Sequence, residues 1–203
     1  MQSIPSFLIF CDGACKKNPG PGGWGAVLVK LPPVKEQDQD EEGGSVLELG
    51  ASSLLTTNNE MELLAVISAL KELSKQSGHL TILSDSEYVI RGITQWVHGW
   101  KKNGWMNSQG QTVANLKHWQ TLDQLTLERK GLGSLLWKSI PAHAGVVGNE
   151  RADVIASACA LQQDPKLYSG NFSQYRSQDI LNWELQTLEG RAKKLKNKNF
   201  YYK

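Results

Sequence analysis

Apolar positions along the chain change their period about a quarter of the way in. Phe7 to Cys11 is a short apolar run of buried-strand type, stopped by Asp12-Gly13. Lys17 to Gly23 (KNPGPGG) is dense in turn formers and should reverse the chain. Trp24 to Leu31 reads as a second strand, and Val46 to Ala51 alternates well enough for a third. Between them Pro32 to Gly44 is Pro-rich, acidic and Gly-ended, which predicts a mobile loop. Three strands joined by turns imply an antiparallel meander.

From Asn59 to Lys75 the period becomes helical, with Leu63, Val66, Ile67, Leu70 and Leu73 on one face and Asn58 as the expected N-cap. The opposite face (Met61, Leu64, Ala65, Ala69) is apolar too, so this helix should be largely buried. Leu80 to Ser84 is a fourth strand ending at Asp85, and Ser86 to Ile93 begins a second helix. Residues 95–119 are Trp-rich and basic, with short helices expected around a Gly104 turn. Leu116 to Leu127 is helical, Leu135 to Ile140 a fifth strand, and Asn149 to Leu161 a last helix. Strands followed by strand–helix alternation predict an α/β fold with a mixed sheet covered by helices. Residues 1–162 form the expected compact domain. Residues 163–203 read as a basic, aromatic, partly helical appendage, with one amphipathic helix expected over Ser177 to Leu195.

Composition narrows the function classes. In 203 residues, 40% are hydrophobic and no run approaches a membrane span. Met1 to Phe10 lacks the features of a signal peptide. The three cysteines, Cys11, Cys15 and Cys159, match neither a disulfide framework nor a zinc ribbon. A cytoplasmic protein without membrane contact, monomeric, is therefore expected. Lys+Arg 22 nearly balance Asp+Glu 20, but unevenly. Residues 35–42 hold five acids and one Lys, whereas 91–117 hold Arg91, Lys101, Lys102 and Lys117 with no acid. Residues 165–203 carry eight basic side chains against Asp179, Glu184 and Glu189. Two basic segments on a nearly neutral chain suggest a locally bound polyanion.

Four acids stand where acids need a reason. Asp12 and Asp85 each follow a buried strand, at the edge where open α/β sheets bind ligands. Glu62 and Asp153 are placed in the first turns of apolar helices. Taken singly, each reads as a turn, a cap or a dipole partner. Brought together, they would repel and resist ionisation unless a hard divalent cation such as Mg²⁺ sat between them.

The blocks Phe-Cys-Asp12-Gly-Ala-Cys15-Lys-Lys-Asn18-Pro-Gly-Pro-Gly-Gly-Trp-Gly25, Thr57-Asn-Asn-Glu-Met-Glu62-Leu, Ser-Asp85-Ser-Glu-Tyr-Val and Ala-His143-Ala-Gly…Asn-Glu-Arg-Ala-Asp153 resemble, in order and spacing, those of the ribonuclease HI family. The resemblance covers residue 5 to about 162. It implies a five-stranded mixed sheet of order 3-2-1-4-5 flanked by helices, and hydrolysis of the RNA strand of RNA–DNA hybrids. It further implies that Asp12, Glu62, Asp85 and Asp153 bind two Mg²⁺ per site, with Mn²⁺ as a substitute, leaving 5′-phosphate and 3′-hydroxyl ends. His143 occupies the position of a proton-transfer or product-release residue. His79, His98 and His118 have no such case.

The same resemblance places Gly13, Cys15, Asn18, Asn58, Asn59 and Glu87 where 2′-hydroxyls would be read. It places Thr57 and Asn115 at a phosphate pocket of the DNA strand. Residues 95–119 resemble the family's basic handle, where Trp96, Lys101, Lys102 and Lys117 would meet sugars and phosphates. Trp96, Trp100 and Trp105 recur near helical spacing, and core packing is expected of at least two. Glu60, Glu87, Asn103 and Ala114 depart from the usual basic or amide residues, which predicts weaker hybrid binding than in close relatives. The acidic run Glu36 to Glu42 lacks a calcium loop's spacing and reads as a solvated loop. For the appendage two readings stand: a nucleic-acid anchor using Lys, Phe200, Tyr201 and Tyr202, or a helix packed on the domain's back. The rival functions are a nuclease of the same fold acting on DNA or double-stranded RNA, and a non-catalytic hybrid-binding module.

Overall fold

The computed structural model describes residues 4–32 and 43–188. The acidic run Glu36 to Glu42, most of the expected loop around it, and the chain from 189 onward, with Phe200, Tyr201 and Tyr202, lie outside the described residues.

Strands β1 (Ser6–Cys15), β2 (Gly20–Lys30) and β3 (Ser45–Thr56) form the antiparallel meander. β4 (His79–Ser84) and β5 (Leu135–Ser139) add in parallel on the far side of β1. Within these five the order is the expected one. A sixth strand, β6 (Ser169–Asn171), adds to the expected five: it pairs antiparallel with β3 and completes the order β5-β4-β1-β2-β3-β6. Only three residues long and containing Gly170, it carries no readable period.

β1 is central and buried on both faces, which is why it reads as an unbroken apolar run. Phe7, Ile9 and Cys11 face helices α1 (Asn58–Glu72) and α4 (Leu116–Lys130), together with Leu63, Val66, Leu70, Trp119 and Leu122. Leu8 and Phe10 face α5 (Val147–Ala160), together with Val27, Val29, Leu83 and Ile155. Asp12-Gly13 does not stop β1 as expected. The strand runs on to Cys15 because β2 pairs with it residue by residue through Cys15↔Gly22.

Small residues bring α5 unusually close to the sheet. A side chain at Gly23 would strike the backbone of Ala156 and Ala160, and one at Gly25 the backbone of Ala152. Ala152, Ala156 and Ala160 recur every four residues and form the stripe that meets those glycines.

Between β4 and α4 the chain runs through α2 (Glu87–Arg91), a π-helical turn over Gly92–Trp96 and α3 (Val97–Lys102). Gly104, at φ +63°, then turns the chain as expected. At Gly92 the Trp119 ring occupies the space of a side chain. Trp100 and Trp105 pack on the α1/α4 core, while Trp96 stands half-buried against Tyr88 and Trp100. In place of one helix from Ser177, a 3₁₀ turn covers Gln178–Asn182 and residues 183–188 are helical.

Candidate active site

β1 and β4 run parallel with Phe10 opposite Leu83, so Asp12 and Asp85 lie two residues further along, at one edge of the sheet. Asp12 continues the alternation of Leu8 and Phe10 and is thereby directed toward the α5 side, where Asp153 lies. Glu62 arrives from the other face. The backbone of Met61 and Glu62 rides directly on Gly13, where any side chain would collide with it. Gly13 thus lets α1 seat its N-terminal half against β1 and sets Glu62 beside Asp12.

The helix starts differ from expectation. Thr57, not Asn58, is the N-cap of α1, its side chain accepting the Glu60 N–H at 3.3 Å. Glu62 is therefore in the second turn. α5 starts at Val147, so Asp153 also lies in the second turn and not at the positive end of the helix. The dipole explanation loses its force for both residues, since that effect fades within one turn.

Hydrogen bonds orient each carboxylate. Gly13 N–H donates to Asp12 at 2.7 Å, and Asn149 Nδ2 to Asp85 at 3.0 Å. Glu62 accepts from Ser86 Oγ at 2.5 Å and from Asn58 Nδ2 at 2.9 Å, while Ser157 Oγ reaches Asp153 at 3.3 Å. Ser86, Asn149 and Ser157 were not singled out from the sequence, although Ser86 and Asn149 stand inside the motif blocks. Asn149 is buried, and its Oδ1 has no hydrogen-bond partner among the described residues.

The charges remain uncompensated. Among the described residues no cationic side chain forms an ion pair with any of the four. Burial, then the charge of Asp85, then those of Asp153 and Glu62, push the Asp12 carboxyl up to about 8, against the pull of the Gly13 N–H. Glu62 is raised too, first by burial and further by Asp85, while Ser86 and Asn58 act in the opposite direction. The four are thus within electrostatic reach around Asp12. As placed, no three of them, among the described residues, close into a ready-made cage for an ion. Hard oxygen donors, partly buried and lacking a counter-charge, are the donor set a divalent cation of the Mg²⁺ type takes.

The RNase H family model matches residues 5–161. The chain is 44% identical over 161 residues to the ribonuclease H of Cyanothece sp., covering 78% of this chain and 92% of that protein. It is 47% identical over 150 residues to the ribonuclease H of Acidovorax sp., covering 74% and 91%. The chain belongs to the ribonuclease H family. Among solved structures, it is similar to LC9-RNase H1, described as a type 1 RNase H with the type 2 active-site motif. There the TM-score is 0.69 at 26% identity, with 89% of this chain and 85% of that one covered.

The remaining candidates of this ribonuclease H family member divide by position. Asn18, exposed, accepts the Asn58 N–H through its Oδ1 at 3.2 Å. The Cys15 thiol points at the carbonyls of Thr56 and Gly20. These residues, with Thr57 and exposed Asn59, gather at the start of α1 beside the carboxylates. Glu87 is exposed and pairs loosely with Arg91 at 3.9 Å.

Asn115 is the N-cap of α4 in the left-handed conformation (φ +58°), which Asn tolerates better than most residues. Its Nδ2 donates to Tyr88 Oη at 3.1 Å, and Trp119 Nε1 donates to the same oxygen at 3.0 Å. Tyr88 therefore ties α2 to the start of α4, a role its place in the motif does not announce.

Lys101 is held by Asp123 at 2.6 Å, whereas Lys102 and Lys117 are exposed. The Arg91 guanidinium lies over the Trp96 ring, 5.4 Å from its centroid. His118, set aside on sequence grounds, has Nε2 3.1 Å from Glu60 Oε1, and Glu60 Oε2 also accepts from Thr56 Oγ1. His143 is exposed, in the loop before α5, at φ +49°. No helix among the described residues is long and apolar enough to cross a membrane.

Proposed function

We propose that this chain is a ribonuclease H that cuts the RNA strand of RNA–DNA hybrids endonucleolytically, using two Mg²⁺ ions. Mn²⁺ is an alternative metal. The observation that carries this reading is the set of four carboxylates around Asp12 with no cationic partner among the described residues. Asp12, Glu62, Asp85 and Asp153 would hold the ions. When bound, such ions neutralise phosphate charge, lower the pKa of water and stabilise a leaving 3′ oxygen.

The chain's own groups supply the rest. Asn58 and Ser86 fix the Glu62 carboxylate, and Asn149 fixes that of Asp85. Gly13, Cys15, Asn18, Asn58, Asn59 and Glu87 line the approach where a ribose 2′-hydroxyl, absent from DNA, would be distinguished. Thr57 and Asn115 would grip a DNA-strand phosphate, and Trp96, Lys101, Lys102 and Lys117 would steady that strand from the handle. His143, exposed on its loop, would move a proton at the leaving group or help product depart.

All four carboxylates come from one chain, so one monomer suffices per site. Residues 1–162 carry this chemistry, and 163–203 form the appendage. Three free cysteines suit a reducing compartment such as the cytoplasm.

Digestion of end-labelled RNA–DNA hybrid, duplex DNA and duplex RNA in Mg²⁺, with end-group analysis, tests the proposal. Hybrid alone should be cut, leaving 5′-phosphate and 3′-hydroxyl ends. Cutting of either other duplex in preference, or hybrid binding with no cleavage, overturns it in favour of the corresponding rival.

A further inference from the structure

α5 carries Asp153 and Asn149, and chain beyond the family match holds it at two points. The first is its N-terminus. Val146, the N-cap, offers no side-chain hydrogen bond, and the Val147 N–H donates to Gln186 Oε1 at 3.1 Å. Gln186 is itself fixed, its Nε2 donating to the Asp179 carbonyl at 2.9 Å. A residue 39 positions downstream thus caps the helix that its own N-cap leaves open.

The second point is Arg151, two residues before Asp153. Its Nε and Nη2 donate to the two oxygens of Glu48 at 2.8 and 2.6 Å. Nη2 also donates to the carbonyls of Pro165 and Lys166 at 3.0 and 3.2 Å. Tyr175 Oη and the Tyr168 N–H complete the shell of Glu48 at 2.8 and 2.9 Å. Phe172, Tyr175 and Ile180 are buried in one apolar cluster with Ile155 and Cys159 of α5. Sliding or rotating α5 would break bonds at both points, and either motion displaces Asp153.

We infer that the segment 165–188 is a positioning device for α5, setting where Asp153 stands relative to Asp12 and Asp85, with Gln186 and the Arg151–Glu48 clamp as its positioning residues. This rests on the reading of Asp153 as an ion ligand. Mg²⁺ demands near-ideal octahedral geometry, so a small displacement of one carboxylate is felt as lost ion affinity. The segment's bonds run to α5 and β3, which favours this role over a grip on nucleic acid for residues 165–188.

The test uses the full chain with Gln186→Ala and, as the conservative variant, Gln186→Glu, which keeps an acceptor oxygen at the helix N-terminus. Three quantities are measured: kcat and KM on hybrid across a Mg²⁺ titration, Mn²⁺ affinity by calorimetry without nucleic acid, and hydrogen exchange at residues 147–150. Gln186→Ala should weaken Mn²⁺ binding and lower kcat at limiting Mg²⁺ by roughly 10-fold, the low end for residues standing behind a metal ligand. KM should stay within about two-fold, exchange at 147–150 should quicken, and Gln186→Glu, which keeps the acceptor for Val147 and loses the donor to the Asp179 carbonyl, should restore part of the loss. Faster exchange with unchanged Mn²⁺ affinity and kcat overturns the inference, leaving a purely structural staple. A KM rise with unchanged kcat also overturns it, in favour of nucleic-acid gripping. A wild-type chain that neither binds Mn²⁺ nor cuts hybrid overturns it together with the ribonuclease reading, a failure recognisable because it appears before any substitution.

Discussion

A buried acid, Glu48, and a half-buried group of four around Asp12 stand on this sheet and are built in opposite ways. Glu48 is 2% exposed, deeper than Asp12, yet its carboxyl lies below the usual carboxylate range. Burial alone would raise it, but Arg151, Tyr175 and the Tyr168 N–H supply enough donors to reverse the sign. At Asp12 burial acts with three neighbouring carboxylates and against one backbone N–H, and the carboxyl rises to about 8. Burial raises both carboxyls, and the partners set the opposite signs. The clamp closes its own charge, whereas the cleft leaves charge open for something brought from outside.

If the cleft exists to take cations, Asp12→Asn or Asp85→Asn should cost the most, lowering hybrid cleavage by about 10³-fold or more. Hybrid binding in Ca²⁺ should survive, and near-normal turnover of either variant would defeat the site assignment. Chelation of divalent ions should abolish cleavage of the unaltered chain and leave the clamp untouched.

Next in size is the clamp. Arg151→Ala leaves buried Glu48 with only the half-exposed Arg176, 3.9 Å away, as a cationic partner, a loss of about 3 kcal/mol of unfolding free energy, the low end for a broken buried pair, measurable by urea titration. Glu48 is lowered, so its contribution is complete above its ordinary pKa of 4.5 and is lost as pH falls through the lower folded value.

Asp12 gives the opposite pH response. With its folded value at about 8 and its ordinary value at 3.8, the metal-free fold holds a proton across that window that the unfolded chain has lost. Stability from this residue is therefore full below pH 3.8 and declines as pH rises toward 8. In chelator, Asp12→Asn should stabilise the protein by about 2–4 kcal/mol near pH 8, with the gain shrinking steadily toward pH 4. A gain independent of pH would contradict the repulsion described here.

The smallest effect belongs to the loop outside both clusters. His143→Ala should lower kcat by roughly 10-fold or more with KM within about two-fold, because an exposed proton carrier acts after binding. An intact kcat removes it from the mechanism.

Much of the site was legible because its acids interrupt strong local patterns. Asp12 and Asp85 end apolar runs, and Glu62 and Asp153 sit among apolar helical positions. The residues that aim them were not. Ser86 is an ordinary polar side chain until α1 brings Glu62 to it, Asn149 until α5 comes to the end of β4, and Ser157 stands one helical turn from Asp153 with nothing to mark it. Glu48 alternates in β3 as any outward-facing polar residue would, and nothing local marks it as 2% exposed. The strand that pairs with β3 just before it comes from residues 169–171, too short to have a period. Helix starts were misjudged by one or two residues, since capping is decided by which side chain reaches a free N–H.

By itself the sequence determined the meander, the parallel additions beside β1, the helical cover and the identity of the acids, since each follows from periodicity, turn chemistry or a motif carried within one segment. Only the tertiary structure decided which acid is neutralised and which is left open. That depends on donors 103 residues away for Glu48, and on glycines that let α1 and α5 approach the sheet for the cleft. Electrostatic balance is a property of neighbours in space, and local sequence patterns do not encode it.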